Sequence, residues 1–194
     1  MRAKLTVVDK GATIPPPAEV TAAGKKQFDD VVSTLTPVAQ SAQKLTVDKA
    51  ALGSGDPARY PELVVAQFGP KSVSIPVGGT VTWNQYLFHT LAIGASDSDV
   101  GLLATAPDGS VHLQKSAAPA GFPIPLSLLE FPQPENGKPV TVKYTYPGSG
   151  FANTGVIGSL PPVFVTFQVK FPKAGTYSVR CLIHPDMKGE VKVG

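Results

Sequence analysis

Gly175-Thr176-Tyr177-Ser178-Val179-Arg180-Cys181-Leu182-Ile183-His184-Pro185-Asp186-Met187-Lys188-Gly189-Glu190-Val191-Lys192-Val193 reads as a strand, a short loop and a second strand. The period of two puts Tyr177, Val179 and Cys181 on one face, and Val191 and Val193 alternate with Glu190 and Lys192. Upstream, Val163, Val165, Phe167 and Val169 alternate in the same way, and Lys173-Ala174-Gly175 makes the turn. Further back, Val73, Ile75 and Val77 alternate with Ser72, Ser74 and Pro76. Gly78-Gly79 turns the chain, and Val81 and Trp83 continue on one face, which predicts a hairpin of half-buried strands. Residues 93–162 are dense in Pro and Gly, with a turn signal at Asn136-Gly137 and a strand-like Val140-Thr141-Val142-Lys143-Tyr144. Many short strands separated by Gly/Pro turns predict a mainly β chain folded as an antiparallel sandwich.

The N-terminal part has a different period. Pro15-Pro16-Pro17 is a stiff linker behind a short strand-like piece at the start. Met1–Val7 matches Met187–Val193 in residue type, position by position, as a strand of a similar preceding domain would. Between Glu19 and Lys44, Phe28, Val31, Val32, Leu35, Val38, Ala39 and Ala42, followed by Leu45, form one apolar stripe at helical spacing. Pro37 is expected to kink or split that helix near Thr36, and the stripe to pack on the main domain or a partner. Residues 51–60 read as a loop. The expected organisation is an extension over 1–60 and a β domain over 61–194, carrying an insertion at about 93–162.

Composition narrows the function classes. Of 194 residues, 42% are hydrophobic and 16% charged, with 20 Pro and 19 Gly, so the chain can bury a core and is rich in turns. A net charge of +3 without a Lys/Arg run beyond Lys25-Lys26 gives no nucleic-acid footprint. No apolar stretch approaches the ~20 residues of a membrane-spanning helix, and the first thirty residues lack the apolar segment of a signal peptide. The single cysteine cannot form an intrachain disulfide, leaving a buried thiol, a nucleophile or a metal ligand.

Cys181, His184 and Met187 stand three residues apart in one tight loop. Their donors are a thiolate, an imidazole and a thioether. Structural zinc sites use four Cys or His donors and do not recruit methionine; calcium and magnesium take oxygen. Thiolate, imidazole and a weak thioether are what copper uses in electron-transfer sites, where two His and one Cys form a plane beside a distant Met. Such a site needs a second histidine, and only His89 and His112 remain. His89 follows the strand carrying Val81 and Trp83, where a loop end can face the Cys181 loop; His112 lies in the irregular middle section and reads as a solvated loop histidine. Trp83 reads as core. For Cys181 and Met187 the plainer alternatives are an inert buried thiol and a core filler.

Gly78-Gly79-Thr80-Val81-Thr82-Trp83, the following His89, Ala174-Gly175-Thr176-Tyr177, the Cys-x-x-His-x-x-Met loop and Lys188-Gly189-Glu190-Val191 together resemble the cupredoxins, with a ligand loop of amicyanin length. The resemblance covers about 62–92 and 162–194. It implies a Greek-key β-sandwich holding one type 1 (blue) copper, with His89, Cys181 and His184 as equatorial ligands and Met187 as the axial one. It also implies an electron carrier rather than an enzyme, transient redox protein partners that meet the His184 edge, and a periplasmic or extracellular location. Leu87, Phe88, Ile183 and Pro185 flank the ligands as loop packing or a docking patch. Two features depart from the family. Thr90 stands where many members have an Asn that bonds the thiolate and ties the loops, and 92 residues separate His89 from Cys181. Two other readings stay open: an electron-entry domain of a larger copper oxidase or nitrite reductase, and a copper storage or delivery module.

Overall fold

The computed structural model describes residues 7–61, 63–125, 128, 139–159 and 165–194. The expectations for residues 1–6, for the Asn136-Gly137 turn and for Val163 lie outside them. A helix, α1 (Pro17–Ala42), precedes β1 (Ala50–Ser54), β2 (Val65–Gly69), β3 (Ser72–Ile75), β4 (Thr80–Gln85), β5 (Leu87–His89), β6 (Ala92–Ile93), β7 (Leu103–Thr105) and β8 (Val111–Leu113). Then follow β9 (Val140–Thr145), β10 (Ala152–Asn153), β11 (Ile157–Ser159), β12 (Val165–Lys170), β13 (Gly175–Arg180) and β14 (Lys188–Val193).

The strands form two five-stranded sheets, ordered β2-β1-β4-β12-β9 and β10-β6-β13-β14-β3. The inward faces are those the period of two selected, except at Val77, which lies beyond β3 and is exposed. Val165, Phe167 and Val169, Val81 and Trp83, Val73 and Ile75, and Val191 and Val193 are all buried in one continuous core. Trp83, Phe68, Phe167 and Phe171 are its largest members, and truncating any of them to Ala costs about 3–5 kcal/mol.

The sheets are mixed rather than wholly antiparallel. β1 runs parallel to β4, β9 to β12 and β3 to β14, while β4–β12 and β13–β14 are antiparallel. The expected hairpin through Gly78-Gly79 is instead a crossing between sheets, since β3 lines the edge beside β14 and β4 sits in the middle of the other sheet. Alternation reports which face of a strand is buried; it carries no information about which neighbour a strand pairs with. Residues 50–54, partly assigned to a loop, form β1. Ala50 and Leu52 are fully buried between β2 and β4. Small residues of low strand propensity pair here because their neighbours enclose them.

Part of the segment 93–162 belongs to the sheets. Val140–Thr145, expected as a strand, is β9, and β10 and β11 pair with β6 and β5. β7 and β8 form a separate two-stranded hairpin.

The helix runs unbroken through Pro37, so the expected split at Thr36 does not occur. In the turns before it, Ser33, Thr34 and Thr36 hydroxyls donate to the Asp30 and Val32 carbonyls. The end of the helix is tied to the β domain by hydrogen bonds. Gln67 Nε2 donates to Ala39 O, Gln43 Nε2 donates to Phe68 O, and Gln43 Oε1 accepts from the Lys71 N–H. Ala42 is buried there, whereas Phe28 and Val32 at the other end of the stripe are exposed.

Candidate metal centre

Two stretches build the site. The first arrives from β4. Leu87 takes a left-handed φ of 57°, rare for a residue with a side chain, and turns the strand. The Gln85 side-chain amide braces that turn by donating to Leu87 O and Ile157 O. β5 then pairs with β11, His89 opposite Ile157, which delivers the imidazole to the end of the core. Thr154 fixes the chain two residues on: its Oγ1 accepts from the Leu91 N–H at 2.9 Å, and its own N–H donates to Leu91 O.

The second stretch is the loop between β13 and β14, closed by its own backbone. The Cys181 N–H donates to Met187 O at 3.0 Å, and the Met187 N–H donates to His184 O at 3.0 Å. Cys181 and Met187 are buried in the core cluster, and His184 is half-buried.

His89, Cys181 and His184 come together with one donor atom each, all within 4.8 Å of one another. Cys181 Sγ lies 3.7 Å from His89 Nδ1 and 3.4 Å from His184 Nδ1. A sulfur and a nitrogen bound to one first-row ion at about 2.0–2.3 Å stand roughly 3.4–3.8 Å apart, and both sulfur–nitrogen distances fall in that range. The two imidazole rings are 4.8 Å apart, centre to centre, and inclined by 54°. His112 takes no part: it is exposed on β8 and pairs with Ser110 Oγ at 2.7 Å.

Electrostatics favour neutral imidazoles here. Burial, reinforced by repulsion from His184, pushes the His89 pKa down to about 3, and burial lowers that of His184. At neutral pH both rings have an unprotonated nitrogen to offer a cation. Cys181 has no disulfide partner. Soft sulfur, two imidazoles and the adjacent buried Met187 fit a single type 1 copper ion, and do not fit the all-oxygen shell of calcium or magnesium.

Thr90, next to His89, makes contact with both stretches. Its backbone N–H donates to Cys181 Sγ at 3.3 Å, and its Oγ1 accepts from the Leu182 N–H at 2.7 Å. One residue therefore bonds the sulfur and ties the two stretches together.

Two contributors escaped the sequence reading. Gly53 in β1 packs against the His89 ring: a Cβ there would sit 2.2 Å from Nε2, and its φ is +76°. A glycine inside a strand is a general sign of close approach, but nothing local says what approaches. Asp97, beyond β6, accepts from Arg180 Nη1 at 2.9 Å and Lys188 Nζ at 2.8 Å, the residues just before Cys181 and just after Met187. Those two cations hold its carboxyl below the usual carboxylate range, Lys188 foremost. Of the flanking apolar residues, Phe88 and Pro185 are exposed and Leu87 and Ile183 half-buried.

No protein-family model matches the chain, and no curated protein is significantly similar to it. Solved structures similar to the chain include a purple cupredoxin, auracyanins and an amicyanin. A purple cupredoxin from Nitrosopumilus maritimus is 19% identical over 76% of this chain and 99% of its own, with a TM-score of 0.31. A reduced auracyanin from Roseiflexus castenholzii is 17% identical, covering 66% and 87%, with a TM-score of 0.34. A variant amicyanin in its Cu(I) form is 14% identical, covering 79% and 89%, at 0.32. With overlaps this low, the reading of the site rests on its own geometry.

Proposed function

We propose that this chain is a type 1 copper protein that carries single electrons between redox partners, with His89, Cys181 and His184 as equatorial ligands and Met187 as the weak axial one. The observation that carries the reading is the convergence of both Nδ1 atoms on the buried Cys181 sulfur. Thiolate and imidazole serve both Cu(II) and Cu(I), and the thioether tunes the balance between them. The chain supplies a scaffold that changes little on electron transfer: His89 is held by a strand pair and by Gly53, and Cys181 by a hydrogen-bonded loop in the core. His184, half-buried and followed by exposed Pro185, offers the route by which a transient protein partner exchanges the electron.

The chain has three histidines, and His112 stands apart from the cluster on an exposed hairpin. A second catalytic copper centre would need imidazoles from another domain or subunit, which favours a carrier over an electron-entry module. Enclosed donors on a braced scaffold favour a resident ion over one handed on for storage or delivery. Among the described residues no helix is long and apolar enough to cross a membrane. Copper chemistry of this kind suits an exported protein, and we place it in the periplasm or outside the cell on that ground.

Titration with Cu(II), followed by visible absorption, tests the reading. One equivalent is expected to give an intense blue, green or violet colour that Cys181→Ser abolishes. A colourless copper complex, or a colour that survives Cys181→Ser, would overturn it.

A further inference from the structure

We infer that residues 96–101 are a strap that fixes the shape of the copper loop, with Asp97 as its positioning residue; the inference rests on the copper reading above. Arg180 and Lys188 are direct cross-strand partners in the β13–β14 register, where like charges repel. They bracket the ligand loop, so their repulsion acts to spread its two ends. Asp97 Oδ1 accepts from both, bridging the ends with one carboxylate. Arg180 is nearly buried, and Asp97 is the anion it pairs with.

The strap is itself held in place. Ser96 and Asp99 close a reciprocal cap, with the Ser96 N–H donating to Asp99 Oδ2 at 2.8 Å, which fixes the short turn that presents Asp97. Two residues further, the Gly101 N–H donates to Leu182 O at 2.7 Å inside the copper loop. Ser116 Oγ bonds Gly101 O in turn and anchors the far end. The loop is thus gripped at Arg180, Leu182 and Lys188 by a segment that supplies no ligand. The excursion after β6 acquires a function in this way: it restrains the loop that the copper needs kept rigid.

Asp97→Asn removes the charge and keeps the shape on an exposed side chain, so the protein is expected to fold. Two measurements are compared with wild type: amide hydrogen exchange of the copper-free protein, and the rate of copper loss to a chelator. The variant is expected to exchange the Cys181 and Met187 amides roughly three- to tenfold faster, the scale of a surface ion-pair network. Amides of β4 and β12 should keep their wild-type rates. Copper loss should accelerate by a similar factor, and added salt should speed loop exchange in wild type but not in the variant. Unchanged loop exchange, or faster exchange spread evenly over the sheets, would overturn the inference. Failure of the copper reading shows separately, as a colourless wild-type protein, since the exchange measurement needs no metal.

Discussion

The backbone N–H of Thr90 meets the sulfur of Cys181 at 3.3 Å, joining two residues 91 positions apart in sequence. An N–H aimed at a sulfur complements the negative charge that a metal-bound thiolate carries. The same residue's hydroxyl accepts from the buried Leu182 N–H and donates to Cys181 Sγ at 3.8 Å, so mutation removes the hydroxyl's two bonds while the backbone bond to sulfur stays. Thr90→Val keeps the backbone bond and strands the Leu182 amide, which costs about 1–3 kcal/mol. Urea unfolding of the copper-free variant is expected to show that loss while the copper-loaded colour persists, and Thr90→Ser is expected to restore stability.

Gly53→Ala puts a methyl where the His89 ring lies and a side chain on a left-handed backbone. The expected result is a loss of roughly 1–3 kcal/mol, together with weaker copper binding, because the imidazole must shift. Unchanged copper affinity by competitive chelation would show that the ring does not depend on that space.

Acid sensitivity follows from His89. Its pKa is pushed down to about 3 in the fold, against 6.5 ordinarily. Between those values the unfolded chain takes up a proton that the folded chain refuses, so stability is full above about pH 6.5. It falls as pH drops toward 3, by at most about 1.4 kcal/mol per unit. Half-buried His184 adds to the loss in the same direction. Unfolding of the copper-free protein at pH 7.5, 5.5 and 4.5 is expected to show this decline, with a shallower one in His89→Gln. Equal slopes would contradict it.

Met187→Leu preserves volume in a buried position, so stability is expected to change by less than about 1.5 kcal/mol. Colour should persist, since sulfur from Cys181 generates it, and the potential should rise on loss of the thioether. Protein-film voltammetry measures the shift. The same electrode with nitrite or oxygen present should show no catalytic current.

Much of this architecture was legible because it is local. The alternation in β12, β13 and β14 fixed their buried faces, and the three-residue spacing of Cys181, His184 and Met187 placed three soft donors in one loop. His89 was reachable by elimination, since the donor set demanded a second imidazole. What stayed hidden depends on distant partners. β1 is a strand because β2 and β4 enclose Ala50 and Leu52. β3 and β4 look like a hairpin until the crossing at Gly78-Gly79 sends them to opposite sheets. Gly53 and Asp97 serve the site across 36 and 83 positions, through His89 and Arg180, and single-residue contacts of that span leave no periodic trace. Thr90 read as a departure from the resemblance, yet one of its bonds to the sulfur comes from the backbone, which every residue but proline supplies.

Copper K-edge X-ray absorption on the loaded protein tests the ligand assignment most directly. The account predicts a first shell of one short sulfur and two imidazole nitrogens, from Cys181, His89 and His184, with the sulfur lost in Cys181→Ser. A shell of oxygen and nitrogen alone, or a shell unaltered in His89→Gln, would contradict it.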